Sequence, residues 1–172
     1  KYKIIANIPY NITGAILKKF LTEDRQPERM VLMVQHEVAK RIMASDNKES
    51  ILSISVKAYG EPKMVMKVPA RYFSPAPKVD SAIISIKNIS RKNFALPLLD
   101  TNSPHPDPLL VKERGEFEER FWEIVKKGFA HKRKKLSGNL KGVVGEEVLK
   151  TFGNKRAEDL SLQDWIHITS RN

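Results

Sequence analysis

The alternation of short apolar runs with amphipathic stretches limits the fold of this chain more than any other feature. Residues 2–6, with Lys3-Ile4-Ile5-Ala6, read as a short buried strand ending at a polar turn. Residues 12–22 follow as a helix with Ile12, Ile16, Leu17 and Phe20 on one face. Pro27 interrupts the chain, and Met30-Val31-Leu32-Met33-Val34 makes a second buried strand. Residues 36–44 read as a helix with Val38, Ile42 and Met43 inward. The run 50–59 alternates like a strand and equally suits a buried helix. Residues 63–68 and 79–87 alternate with period two, as late strands do. This is an α/β pattern, which predicts parallel strands in a twisted sheet with helices on both faces. The chain opens at Lys1 directly in a strand-like run, which suggests a start inside a domain.

The pattern stops near residue 90. Residues 91–115 hold four of the ten prolines and no sustained period, and read as an irregular linker or insertion. His105 within it has no neighbouring ligand residues and reads as solvated. From 116 to 172 the chain is helical and basic, with Phe117, Phe121, Ile124, Val125 and Phe129 at helical spacing. Ser161 with Asp164 three residues on predicts a capped last helix carrying Trp165, Ile166 and Ile168. The organisation expected is therefore 1–90, a linker at 91–115, and a small all-α domain at 116–172.

Charge gives the first functional hint. Lys and Arg number 31 against 20 Asp and Glu, a net charge of +11. Such a surplus favours polyanionic partners through counterion release, although a basic surface also serves solubility alone. The chain has no cysteine, which excludes disulfides, thiolate zinc sites and a cysteine nucleophile. No apolar run approaches the roughly 20 residues that span a bilayer, so no membrane partner is expected, nor a metal. A cytoplasmic monomer is the expectation.

Asn7-Ile8-Pro9-Tyr10 directly follows the first strand. Open α/β sheets bind ligands beyond the carboxyl ends of their strands. The residue types suit methylation of an exocyclic adenine nitrogen, whose lone pair is delocalised into the ring. Acceptors from the Asn7 side chain and the Pro9 carbonyl would hold both N–H groups and aim the lone pair at a methyl donor. Proline fixes φ and carries no competing donor, and Tyr10 would stack on a flipped base. Catalysis would rest on positioning and electrostatics. The same four residues also make a plain strand-end turn with a buried tyrosine.

The tetrapeptide resembles motif IV of the adenine-N6 methyltransferases, with Ile8 where the rRNA-modifying branch usually has leucine. Three further regions match that branch in order. Val34-Gln35-His36-Glu37-Val38-Ala39-Lys40-Arg41 is similar to its "VQ-x-EVA-x-R" segment, with His36 departing from the usual basic residue. Phe73-Ser74-Pro75-Ala76-Pro77-Lys78-Val79-Asp80-Ser81-Ala82 is similar to its "F-x-P-x-PKV-x-SA" loop. Phe129-Ala130-His131-Lys132-Arg133-Lys134-Lys135-Leu136 and Arg156-Ala157-Glu158-Asp159-Leu160 resemble the tail of the KsgA (RsmA) family of rRNA adenine N6,N6-dimethyltransferases. The tail matches favour that family over the related Erm-type enzymes of large-subunit RNA. A non-catalytic ribosome-assembly module with the same fold is the remaining alternative.

The resemblance implies the C-terminal part of a Rossmann-like class I methyltransferase sheet followed by a small all-α domain. It implies S-adenosyl-L-methionine as cofactor, and dimethylation of two adjacent adenines near the 3′ end of 16S rRNA during small-subunit maturation. Asn7, Pro9 and Tyr10 would then be catalytic, and Ile8, Phe73 and Pro75 would bind substrate. Pro75 and Pro77 would stiffen the loop that presents Phe73. Lys126, Lys127, Lys132, Arg133, Lys134 and Lys135 would contact RNA of the small ribosomal subunit, although charge runs are commonly solvated faces. The family's Gly-rich cofactor loop has no counterpart among the eight glycines, leaving Asn7 as the cofactor contact expected in this chain. Weak or no cofactor binding is the expectation for these residues alone.

Overall fold

A computed structural model describes residues 2–94 and 108–171. It divides into two compact units, Lys1–Lys48 with Leu52–Ser90, and Glu49–Ile51 with Arg91–Asn172.

The first unit is built on four strands, β1 (Lys3–Asn7), β2 (Arg29–Gln35), β3 (Glu61–Val68) and β4 (Ser81–Lys87), in the order β1-β2-β4-β3. Helices α1 (Thr13–Thr22), α2 (His36–Met43) and α3 (Ile51–Lys57) separate the first three strands. β1 and β2 run parallel, from Lys3↔Arg29 to Asn7↔Met33. β4 is antiparallel to both neighbours, pairing Gln35↔Ser81 with β2 and Val68↔Ser81 with β3. The expectation of parallel strands therefore fails for the late pair. A parallel return needs a crossover, usually a helix, whereas residues 69–80 carry only a single 3-10 turn at Ala70–Tyr72. The ambiguous run 50–59 is helical at Ile51–Lys57, where Ser53, Ile54 and Val56 are buried.

β2 supplies the centre of the core. Met30, Leu32 and Val34 are fully buried, as are Ala82, Ile84 and Ile86 of β4. Each such apolar side chain contributes about 1.5–3 kcal/mol on burial. α1 buries Thr13, Leu17 and Leu21, one face at four-residue spacing. Ile12 is not on that face: it belongs to a preceding 3-10 turn, Tyr10–Ile12, and is exposed. α2 buries Ala39 and Ile42, and Val38 and Met43 sit half-covered at its margins. It ends where Ala44 adopts a left-handed conformation at φ 53°.

The two outer strands differ. β3 carries Pro62, Lys63, Lys67 and a register shift between Met64 and Met66. β1 has no such break, and its Ile5 is 80% exposed.

The second unit is helical. It contains α4 (Pro108–Gly128), α5 (Leu136–Asn139), α6 (Glu146–Phe152) and α7 (Leu162–Ser170). Phe121, Ile124, Val125, Leu136, Leu160, Trp165 and Ile168 are buried in it. Phe121 meets Phe94 edge-on at 5.2 Å, and Phe129 lies 5.6 Å from Trp165. Any side chain at Gly128 would strike the Trp165 ring. The cap of α7 forms as the spacing predicts: Asp164 N–H donates to Ser161 Oγ at 3.2 Å, and Ser161 N–H to Asp164 Oδ2 at 2.9 Å. The linker reading of 91–115 needs correction at its ends. Lys92–Phe94 form a 3-10 turn, and residues 108–115 are already helix. Pro108 suits the first helical turn, where its missing N–H would have no partner. Residues 95–107, with His105, lie outside the described residues.

Candidate functional site

One end of the sheet collects the motif residues. β1 and β2 run in the same direction, so Asn7 and Gln35 both lie at carboxyl ends. β4 runs the other way and places its first residue, Ser81, against Gln35. Val68, the last residue of β3, pairs with the same Ser81. The Asn7–Tyr10 turn, the start of α2 and both ends of the 69–80 loop thus meet at one edge through backbone register alone.

Side chains tie this edge together. The Tyr10 and Ser81 hydroxyls lie 2.7 Å apart in a hydrogen bond, joining the turn after β1 to the start of β4. Ser81 is fully buried, so the bond is shielded from water and fixes one end of the tyrosine ring. Pro9, at φ −57° and ψ 135°, precedes the 3-10 turn, and its carbonyl accepts the Ile12 N–H at 3.2 Å. That carbonyl retains its second lone pair for another donor. The Thr13 hydroxyl donates to the Tyr10 carbonyl at 3.1 Å. Asn7 is exposed, and its amide makes no hydrogen bond among the described residues. Ile8 is only 6% exposed, a position that anchors the turn in the core rather than offering a contact.

Asp80 organises the loop. Its carboxylate takes the Lys67 ammonium at 2.7 Å and the Ala70 N–H at 3.0 Å, while its backbone carbonyl takes the His36 N–H at 2.9 Å. The last bond satisfies a first-turn N–H of α2 that has no partner inside the helix. The Lys67 hydrogen bond, then the Ala70 N–H, hold the Asp80 carboxyl below its ordinary value of 3.8 against a smaller opposing effect of burial; the Lys67 and His36 charges add to the lowering. Phe73 follows the 3-10 turn in extended conformation, half-buried, with its N–H on the Ala70 carbonyl at 3.1 Å. No ring stacks on it among the described residues. Pro75 is exposed, and its peptide bond with Ser74 is cis.

Sequence reasoning passed over Ser81, Asp80 and Lys67. A serine and an aspartate at the head of an alternating apolar strand were the available signal, because buried polar groups require partners. Lys67 gave none: its partner lies across a loop. Glu37, in the first turn of α2, pairs with Arg41 at 2.9 Å.

The cationic residues lie in the second unit. Lys126 and Lys127 occupy the last turn of α4, where positive charge complements the helix dipole. Lys127 pairs with Glu123 at 3.1 Å. Lys132 to Lys135 form an exposed loop before α5. Asn139 fixes its base by donating to the Gly128 and His131 carbonyls at 2.6 and 3.2 Å. Lys135 reaches Asn154 at 3.3 Å, and no carboxylate pairs with Lys132, Arg133 or Lys134 among the described residues. Those residues contain no cluster of three acidic or histidine groups suited to a metal. No described helix is long and apolar enough to cross a membrane.

The family model described as "Ribosomal RNA adenine dimethylase" matches residues 1–101. The chain belongs to that family. It is 35% identical over 173 residues to a Ribosomal RNA small subunit methyltransferase A of Dehalococcoides mccartyi, covering 95% of this chain and 53% of the relative. A Synechocystis protein of the same name is 34% identical over 182 residues, covering 98% and 57%. The chain thus spans about half the length of these relatives. Two solved structures share its fold. The 23S rRNA methyltransferase ErmE has a TM-score of 0.69 at 24% identity, covering 98% of this chain and 64% of that one. A dimethyladenosine transferase from Plasmodium falciparum has 0.72 at 22%, covering 97% and 65%. The match supports the Rossmann-like fold class expected from the resemblance. The chain's 7–10, 34–41 and 73–82 segments meet at one end of the sheet, and its 129–136 and 156–160 segments lie in the helical unit.

Proposed function

We propose that this chain supplies the adenine-binding side of an S-adenosylmethionine-dependent rRNA adenine-N6 methyltransferase. The finer reading is N6,N6-dimethylation of two adjacent adenines near the 3′ end of 16S rRNA during small-subunit maturation. The observation that carries it is the Tyr10–Ser81 hydrogen bond, which joins the Asn7–Tyr10 turn to the loop bearing Phe73 at the end of the sheet.

In this reading, the Asn7 side-chain oxygen and the open lone pair of the Pro9 carbonyl accept the two N6 hydrogens of a flipped adenine. Holding both hydrogens turns the nitrogen toward tetrahedral geometry and points its lone pair away from the ring. Tyr10, fixed at its hydroxyl by Ser81, and Phe73 hold the base by its faces. S-Adenosylmethionine, when bound, supplies the electrophilic methyl group. Asn7, exposed and with a free amide, fits a contact to it, and this chain offers no Gly-rich loop to cradle the rest. Once the methyl is transferred, the nitrogen sheds a proton to water, so no side chain needs an unusual pKa. Lys132, Arg133, Lys134 and Lys135, with Lys126 and Lys127, would meet phosphates of the subunit RNA and orient it without reading sequence.

The test is methyl transfer from labelled cofactor by the full-length gene product, offered unmethylated small subunits and, separately, large-subunit RNA. Label on adenine N6 in small-subunit RNA alone is expected. Label in large-subunit RNA would move the target to the other subunit, and tight small-subunit binding without label would leave an assembly factor.

A further inference from the structure

We propose that Arg71 and Tyr72 form a stacking subsite for an unpaired nucleotide adjacent to the target adenine in the RNA strand. The proposal rests on the adenine-methylating reading of the Asn7–Tyr10 turn. It starts from an aromatic ring that folding does not use. Of the four tyrosines, Tyr59 is buried, Tyr2 donates its hydroxyl to the Arg25 carbonyl, and Tyr10 is bound to Ser81. Tyr72 is 69% exposed and makes no hydrogen bond through its hydroxyl among the described residues.

The ring is nonetheless held in place. Its residue closes the 3-10 turn Ala70–Tyr72, whose N–H groups at Tyr72 and Phe73 bond to the Pro69 and Ala70 carbonyls at 3.1 Å each. The turn is moored by the Ala70 N–H on Asp80, which Lys67 also grips. An exposed aromatic on a fixed turn loses little entropy when a base stacks on it. The Arg71 guanidinium lies over the Tyr72 ring, 5.3 Å from its centroid, and the tyrosine stays mostly exposed beside it. Arg71 has no carboxylate partner among the described residues, and neither has the exposed Lys78 further along the loop. The loop therefore offers an aromatic face with uncompensated positive charge beside it, the pairing that suits a base and its phosphate. Phe73 is the next residue, and the loop is tied at Ser81 to Tyr10. A strand whose target adenine sits at Asn7 and Phe73 would bring its neighbouring nucleotide over Tyr72.

The test uses the full-length gene product and a short single-stranded RNA carrying 2-aminopurine next to the target adenine, on either side. Binding is expected to quench the fluorophore at one of the two positions. Tyr72→Ala is expected to abolish that quenching and raise the RNA KM by roughly five- to a hundredfold, the range for losing one base–aromatic stack. Tyr72→Phe, which keeps the ring, is expected to recover both. Arg71→Met is expected to flatten the salt dependence of RNA affinity by about 0.7, one phosphate of a single strand. A Tyr72→Ala protein that quenches and binds like the parent overturns the subsite while methyl transfer by the parent leaves the adenine reading standing. A kcat loss at constant KM also overturns it, because Tyr72 would then only shape the Phe73 loop. Quenching lost in Tyr72→Ala, in a protein that transfers no methyl group to any RNA, would keep the subsite and reject the reading it rests on. A parent that quenches at neither position rejects the subsite outright.

Discussion

The sheet edge of the first unit and the cationic loop of the second present opposite kinds of surface. At the sheet edge the groups that frame the turn and loop are bound: Tyr10 to Ser81, Asp80 to Lys67 and Ala70, His36 N–H to the Asp80 carbonyl. In the loop at 132–135, Lys135 reaches only the Asn154 amide, Lys132, Arg133 and Lys134 meet no carboxylate among the described residues, and the backbone beneath is anchored through Asn139. Positioning chemistry needs side chains already held in place, since its advantage comes from avoiding reorganisation at the moment of reaction. Phosphate attraction acts over about 8 Å at physiological ionic strength and tolerates mobile side chains. This chain thus keeps its bound framework and its open charge in different units.

The contrast can be broken most severely at Asn7. Asn7→Ala is expected to lower kcat for methyl transfer by roughly 10²–10³, the range for removing one polar group aimed at the reacting centre, with RNA affinity held within about twofold. Filter binding alongside the transfer assay separates the two quantities. Replacing Lys132, Arg133, Lys134 and Lys135 by Gln should do the reverse. It is expected to reduce the slope of log affinity against log salt by about 3 for structured RNA, with kcat preserved at saturating RNA. An unchanged slope would mean the loop does not meet phosphate.

Smaller changes sharpen the comparison. Ser81→Ala removes one partly buried hydrogen bond, worth about 0.5–1.5 kcal/mol, and is expected to lower kcat about three- to tenfold by loosening the Tyr10 ring. Equal kcat in Ser81→Ala and parent would show that Tyr10 needs no anchor. The smallest effect is expected at Asp80. Its carboxyl is held below 3.8, so the tie to Lys67 and Ala70 is present above that value and is lost as pH falls through the lower folded pKa. Amide exchange across 67–73, compared between Asp80→Asn and parent at neutral pH, should rise in the variant. Exchange in the parent should not rise until the solution is more acidic than the ordinary carboxylate range.

The strands and helices of 1–44 were legible because apolar period and turn residues agreed there. Met30, Leu32 and Val34 alternate, and Leu17 lies one turn from Leu21. Strand direction was not legible, because alternation in β3 and β4 is the same whichever way a strand runs, and only the helix-free connection decides it. Ile12 was misplaced because a 3-10 turn precedes α1 and shifts the face. The motif residues could be named from sequence, but their mutual bonds could not. Tyr10 and Ser81 are 71 positions apart, and no period relates them.

The border strand β3 has a consequence for how this protein behaves at high concentration. Pro62 offers no N–H to a further strand, Lys63 and Lys67 would set like charges against a second copy, and the register shift between Met64 and Met66 interrupts the ladder. A neighbouring copy therefore meets no continuous template along β3. Replacing Pro62 and Lys63 by β-branched residues is the change that would open that side to aggregation.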